Sequence, residues 1–210
     1  MINFDKTEVF NLAGAIRGMR NPMASHDKSD SSYMLLADGK SHYDIGDCDM
    51  DLAQRLARAG AEHRKFLRQI FISVDIVAPL YWWKQYDTYK IGTVANSYST
   101  MHKIHAKEFD INDFSYEDMT DDGLKCLYHI IDTLNIARNC YLNQKNKQHW
   151  FDMIKLLPES YNQKRTVTMN YENVLSICLQ RKGHKLNEWN GFREWAKTLP
   201  YANQLLLLEE

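Results

Sequence analysis

Apolar residues recur along the chain with two different periods, and these divide it into elements. Over residues 6–19, Val9, Leu12, Ala13 and Ile16 share one helical face with Thr7 placed as a cap, which predicts a short helix. Residues 20–50 are rich in Ser, Asp, Asn, Gly and Lys, and only 33–36 reads as a strand between loops. A loop of that length inside a compact domain is expected to be functional or mobile. Asp49 or Asp51 then caps a helix through Leu52, Leu56 and Ala59 that stops at Gly60.

The clearest strand is 69–77, Q-I-F-I-S-V-D-I-V, where Ile70, Ile72, Val74 and Ile76 alternate with Phe71, Ser73, Asp75 and Val77. Ala78-Pro79 sets its end, because proline cannot continue a central ladder. Thr120 followed by Asp121 and Asp122 starts the longest helix, whose stripe is Leu124, Leu127, Ile131, Leu134 and Tyr141. Helical patterns return over 147–157, closed by Pro158, over 171–179 with Val174, Leu175 and Cys178, and over 186–199 with Trp189, Phe192 and Ala196. One strong strand among several helices predicts an α+β fold with a small central sheet packed with helices, as a single domain over 1–210.

Composition narrows the function classes. A chain of 210 residues, 44% of them hydrophobic, can bury a core without disulfides or metal. Its 26 basic and 27 acidic residues leave no global field for nucleic acid or an anionic membrane, so any anion site must be local. Cys48, Cys126, Cys140 and Cys178 are scattered, with no C-x-x-C pair, which fits reduced thiols in the cytoplasm, and Cys126, Cys140 and Cys178 fall on or near apolar faces. No apolar run approaches the length of a membrane span, and the N-terminus lacks the pattern of a signal peptide.

Common catalytic motifs are absent: there is no G-x-S-x-G, no P-loop and no G-x-G-x-x-G. His102 and His105 would share a face if M-H-K-I-H were helical, but no further ligand stands at a matching spacing, and no metal is expected. The stretch 82–102, W-W-K-Q-Y-D-T-Y-K-I-G-T-V-A-N-S-Y-S-T-M-H, is more informative. Trp82, Trp83, Tyr86 and Tyr89 lead into Lys90, Thr93, Asn96, Ser97, Ser99 and Thr100, one cation and several donors suited to an anion or a base edge. Aromatic faces beside such donors suit a planar heterocycle; the alternative is that the aromatics are core packing and the polar run a solvated turn.

These residues resemble the flavin-dependent thymidylate synthases. In that family a strand ending in Ala-Pro is followed by R-Q-W and then by R-H-R-x-x-S-x-N-E-x-S-x-R-Y. Here Ala78-Pro79 precedes Lys84-Gln85-Tyr86, and Asn96-Ser97-Tyr98-Ser99-Thr100-Met101-His102 is similar to the end of the signature after one inserted residue. His63 falls where the family has a flavin-contacting histidine. A second block, Leu157-Pro158, Thr168-Met169-Asn170, Arg181 and then His184 to Trp189, follows in the family's order, without gaps from Pro158 to Asn170 to Arg181.

The resemblance implies a homotetramer that binds FAD and a pyrimidine nucleotide, deoxyuridine monophosphate (dUMP), and makes thymidylate with methylene-tetrahydrofolate and NADPH. By the same resemblance Gln85, Ser99, Thr100 and Arg181 hold the nucleotide. Arg181 would polarise its ring and Ser99 would stand near the reacting carbon, while His63, Lys90, Asn96 and Asn170 touch the flavin. The chain also departs from the pattern. Thr88-Tyr89-Lys90 replaces R-H-R, Ser97 replaces the glutamate, Met101 replaces an arginine, and Ile154 stands for a nucleotide-binding arginine. Each lost bidentate arginine removes a contact of about 1.5–3 kcal/mol that lysine does not fully restore. The alternative is therefore a non-catalytic protein of this fold that binds a nucleotide or flavin and has lost the reaction.

Overall fold

The computed structural model describes residues 2–35, 37, 39 and 41–208. In chain order its elements are β1 (Asn3–Phe10), α1 (Leu12–Met19), β2 (Ser32–Leu35), β3 (Ser41–Asp44), α2 (Asp47–Arg58), β4 (Phe71–Pro79), α3 (Leu80–Tyr86), β5 (Val94–Ser97), α4 (Asp121–Gln144), α5 (Lys147–Lys155), β6 (Asn162–Asn170), α6 (Tyr171–Gln180), α7 (Asn187–Lys197) and α8 (Ala202–Leu205). The fold is α+β with a small sheet of order β1-β4-β6-β5, and β2 and β3 form a separate antiparallel hairpin with Ser32 opposite Asp44.

Several elements differ from the reading of the sequence. Residues 6–10 belong to a strand, and Thr7 is no cap: its hydroxyl accepts a hydrogen bond from Trp195 Nε1 at 3.0 Å. Helix α1 begins after Asn11, whose φ of 67° turns the chain and whose amide donates to the Gln69 carbonyl at 3.0 Å. The region 20–50 is not structureless. It holds two short 3-10 turns, the β2–β3 hairpin and the start of α2, while Leu36, expected to close a strand, lies outside the described residues.

Strand β4 buries Ile72, Val74, Ile76 and Ala78 at alternate positions, as the period of two requires. Gln69 precedes it in a 3-10 turn, Lys65–Gln69. Helix α4 runs for 24 residues from its Thr120 cap, whose hydroxyl accepts from Gly123 N at 3.2 Å. Cys126 on that helix is exposed, away from the apolar face expected for it.

Contacts divide the chain into two compact units. The first comprises Asp75–Tyr89 and Ala95–Thr166 with the strand residues up to Phe4. Its core is built by α4, which packs on α5 and buries Leu127, Ile131, Leu134 and Ala137 with Ile104, Phe109, Phe114 and Met153. The second comprises Asp5–Val74, Lys90–Val94 and the chain from Val167 onward. There α1 and α6 pack on the 3-10 turn that buries Phe66 and Leu67, α2 packs on α8, and α7 packs on α6 and α8. No helix among the described residues is long and apolar enough to cross a membrane.

Candidate functional site

The aromatic stretch after β4 is core. Pro79 precedes α3, and the first free N–H groups of that short helix are met by backbone: Leu80 N donates to Tyr161 O at 3.0 Å and Tyr81 N to Glu159 O at 3.1 Å. This fixes Trp82, Trp83 and Tyr86 inward, all buried, with Trp82 stacked on Tyr86 at 5.2 Å and edge-on to Trp83 at 4.9 Å. Burial pushes the Tyr86 phenol well above its ordinary pKa, so it stays neutral. These rings are packing and not a ligand face; Tyr98, which is exposed, is the aromatic residue of the stretch left at the surface.

Arg165 on β6 ties this aromatic cluster to the polar run that follows. Its guanidinium lies 4.2 Å over the Trp83 ring, donates to Asp87 Oδ1 at 2.8 Å and donates through Nε to Gln163 Oε1 at 2.9 Å. Gln163 in turn donates to the Tyr98 carbonyl at 2.6 Å, and its own carbonyl accepts from Trp83 Nε1 at 2.9 Å. The loop after β5 is thereby anchored at Tyr98, whose N–H also donates to Lys164 O at 2.9 Å.

Behind that anchor the first unit holds a cavity of about 690 Å³. Ser97, Ser99, Thr100 and Lys103 line it from the loop, Lys107 and Asp113 from the following turns, and Val77, Ile104 and Tyr161 supply apolar wall. Ser99 Oγ accepts from Met101 N at 3.1 Å and from His102 N at 2.9 Å. With both lone pairs engaged, the Ser99 hydroxyl has its proton left to donate. Lys107 is held by Asp113 at 2.6 Å and by Asp110 at 3.2 Å, and these carboxylates raise its pKa. Lys164 pairs with Asp75 at 2.9 Å.

Two of the expected nucleotide residues, Ser99 and Thr100, therefore line one cavity, together with cations that were not singled out from the sequence. Lys103 and Lys107 follow the polar run in K-I-H-A-K, but the segment is a series of turns and not a helix, so their spacing carried no periodic signal. The same turns keep His102 and His105 off a common helix face; His105 instead packs edge-on to Tyr141 at 5.0 Å. Gln85 and Asn96 are in the first unit but do not line this cavity. The Gln85 carbonyl accepts from Thr88, whose hydroxyl donates at 2.7 Å and closes the end of α3.

The other expected residues belong to the second unit. Asn170 caps α6: its side chain accepts from Asn173 N at 3.0 Å while Asn173 Oδ1 accepts from Asn170 N at 3.0 Å. Asn173 also donates to Ile91 O at 2.7 Å, and a Cβ on Gly92 would stand only 2.8 Å from Asn170 Nδ2. Asn170 is thus brought against the turn that Lys90 begins, with Lys90 exposed. Arg181 closes α6 and lies 4.5 Å over the Trp189 ring. His63 lines a second cavity, of about 510 Å³, with Met19, Met23, Leu56 and Phe66.

No protein-family model and no curated protein sequence matches the chain. Solved structures do. The chain is similar to thymidylate synthase X from Helicobacter pylori with FAD and dUMP, with 17% identity, a TM-score of 0.70 and 100% of each chain covered. A second structure, of the flavin-dependent thymidylate synthase of Helicobacter pylori complexed with FAD and dUMP, matches with 17% identity and a TM-score of 0.68 over 96% of this chain and 97% of that one. The fold is that of flavin-dependent thymidylate synthase. At this identity the likeness concerns the path of the backbone.

Proposed function

We propose that the protein binds FAD and a dUMP-like pyrimidine nucleotide in a homotetramer, and that it acts as a thymidylate synthase-like methyltransferase. The observation that carries this reading is the match along the whole chain to structures that hold FAD and dUMP. The donor-lined cavity behind Ser99 and Thr100 agrees with it. Gln85, Ser99, Thr100 and Arg181 are the residues assigned to the nucleotide, with Ser99 donating a proton to a ligand oxygen and Arg181 polarising the ring.

His63, Lys90, Asn96 and Asn170 are assigned to the flavin. The residues present fit such a group at one point in particular: Gly92 lets the 90–92 turn approach Asn170 more closely than a side chain would allow, and Lys90 is exposed on that turn. FAD, when bound, supplies the redox chemistry, while this chain binds, orients and screens the reactants. With Thr88 and Tyr89 in place of the first arginine and the histidine of R-H-R, Lys90 is the one cation of that triplet, so FAD affinity is expected to be weaker than two arginines would give.

The test is direct. The purified protein is expected to show flavin absorption, or to take up added FAD with a rise in melting temperature, and to convert dUMP to thymidylate when given methylene-tetrahydrofolate and NADPH. A colourless protein whose melting temperature is unmoved by either FAD or dUMP would overturn the binding assignment. Flavin and nucleotide binding without turnover would overturn the catalytic part alone.

A further inference from the structure

Residues 20–50 contain none of the side chains assigned above to nucleotide or flavin, yet their hairpin walls a cavity of about 400 Å³ in the second unit. The register decides which side chains share a face: Tyr33 stands opposite Tyr43 and Leu35 opposite Ser41, while Met34 and His42 pair on the alternate face. Tyr33, Tyr43 and Ser41 accordingly line the cavity together, the two rings meeting edge-on at 5.0 Å. The corner of β1 and α1 supplies the rest of the lining, with Val9 and Leu12 apolar and Arg17 further along the helix. Both walls are held by the chain's own bonds. Asn11 Nδ2 donates to Gln69 O at 3.0 Å at the corner, and at the foot of the hairpin the Tyr201 hydroxyl accepts from Ile45 N at 3.1 Å and lies 3.2 Å from Tyr43 O.

Arg17 makes no ion pair among the described residues, and no carboxylate among them lines the cavity. Burial raises the pKa of the Tyr43 phenol against the pull of the Arg17 charge, so the ring stays neutral beside that cation. A guanidinium offers one positive charge and a planar fork of N–H donors, which matches the edge of a carboxylate. Tyr33 is 67% exposed, which leaves its ring open to a planar group, and Ser41 adds a hydroxyl. We infer that this cavity binds a small aromatic carboxylic acid as its monoanion, with Arg17 holding the carboxylate and Tyr33 packing on the ring. The cavity shares no lining residue with the one behind Ser99 or with the one that His63 lines, and its ligand is independent of the nucleotide and flavin assignments. A phosphate dianion would bring a second charge that no cation of this wall meets, and an uncharged ring would forgo the guanidinium contact, so both are selected against.

The experiment is calorimetric titration of the full-length protein with benzoate, benzamide, acetate and inorganic phosphate. Wild type is expected to bind benzoate about 10- to 100-fold more tightly than benzamide, the worth of one charge-assisted contact, and more tightly than acetate or phosphate. Arg17→Gln should bring benzoate down to the affinity of benzamide, and Arg17→Lys should recover only part of the difference, because an ammonium lacks the fork. Tyr33→Ala should weaken benzoate about 2- to 10-fold and leave acetate unchanged. Arg17 and Tyr33 are exposed, and a circular-dichroism melt confirms that the variants fold. A wild type that binds none of the probes, or an Arg17→Gln variant that binds benzoate as wild type does, overturns the inference. Phosphate binding more tightly than benzoate overturns the carboxylate class, and acetate binding as tightly as benzoate overturns the ring. Tighter binding of an acetylated tetrapeptide ending in phenylalanine overturns the free acid in favour of a peptide C-terminus. Displacement of benzoate by methylene-tetrahydrofolate overturns the independence from the reaction site.

Discussion

Taking a carboxylate out of water costs several kcal/mol unless hydrogen bonds replace its hydration. Asp49, fully buried in the first turn of α2, meets that condition: Arg20 Nε donates to it at 2.5 Å, Ser29 Oγ at 2.7 Å and Ser31 Oγ at 2.6 Å, with the N–H groups of Asp30 and Ser31 completing the set. Burial alone would raise its pKa, but the bonds from Ser31, Ser29 and Arg20 outweigh that and hold it below the ordinary 3.8. The stability this contributes is present above the unfolded value and lost as pH falls through the lower folded value. Urea midpoints of the wild type should therefore fall on acidification below about pH 4. Asp49→Asn, which leaves the Arg20 charge buried without its partner, should cost about 3–5 kcal/mol at neutral pH and flatten that acid limb. An unchanged midpoint in the variant would refute the role given to Asp49. Gly92 allows a second local test. It has φ +77° and no room for a Cβ beside Asn170, so Gly92→Ala should destabilise by about 1–2 kcal/mol and lower FAD affinity if the 90–92 turn holds the flavin. Loss of stability with flavin binding unchanged would separate the turn from the cofactor.

Among the elements, those with an apolar stripe were legible and those with mixed faces were not. Helix α4 announced itself by Thr120, two acids and the Leu127, Ile131, Leu134 stripe, and strand β4 by its alternating isoleucines. Strand β6 did not, because N-Q-K-R-T-V-T-M-N has little hydrophobic signal. It buries Gln163, Val167 and Met169, while its basic residues are held by partners far away in sequence, Lys164 by Asp75 and Arg165 by Asp87 and the Trp83 face. Strand β1 was hidden in the same way, since Val9 fits a helical spacing as well as a strand. Of the run 96–100 singled out in the sequence, Ser97, Ser99 and Thr100 line the cavity and Asn96 does not; the cavity's lysines were not legible, since what brings Lys103, Lys107 and Lys164 together is the path of turns and a strand partner. Helix packing in the first unit gives a direct check. Leu134 is fully buried in the α4 core, and Leu134→Ala should cost about 2–5 kcal/mol, read as a fall in the urea midpoint. A loss below about 1 kcal/mol would mean that α4 does not organise that core.

For the protein as a whole, the apolar residues left outside both cores argue for assembly. Ile91 is 90% exposed, Leu35 79%, and Val94, Tyr98 and Tyr33 each more than half. Single exposed apolar side chains are ordinary, but Ile91, Val94, Tyr98 and Met101 fall within one short run of chain around the edge strand β5. An open strand edge carrying aromatic and aliphatic side chains is a liability for a monomer, and an interface both covers the side chains and shields the unpaired backbone groups. The proposed homotetramer accounts for this run. Sedimentation at micromolar concentration should give about four times the chain mass, and Val94→Lys should shift the distribution toward smaller species with little change in the stability of the isolated chain, since Val94 is exposed. A wild type sedimenting as a monomer across the accessible concentration range would reject the tetramer. It would also require the 91–101 run to be covered by a different partner.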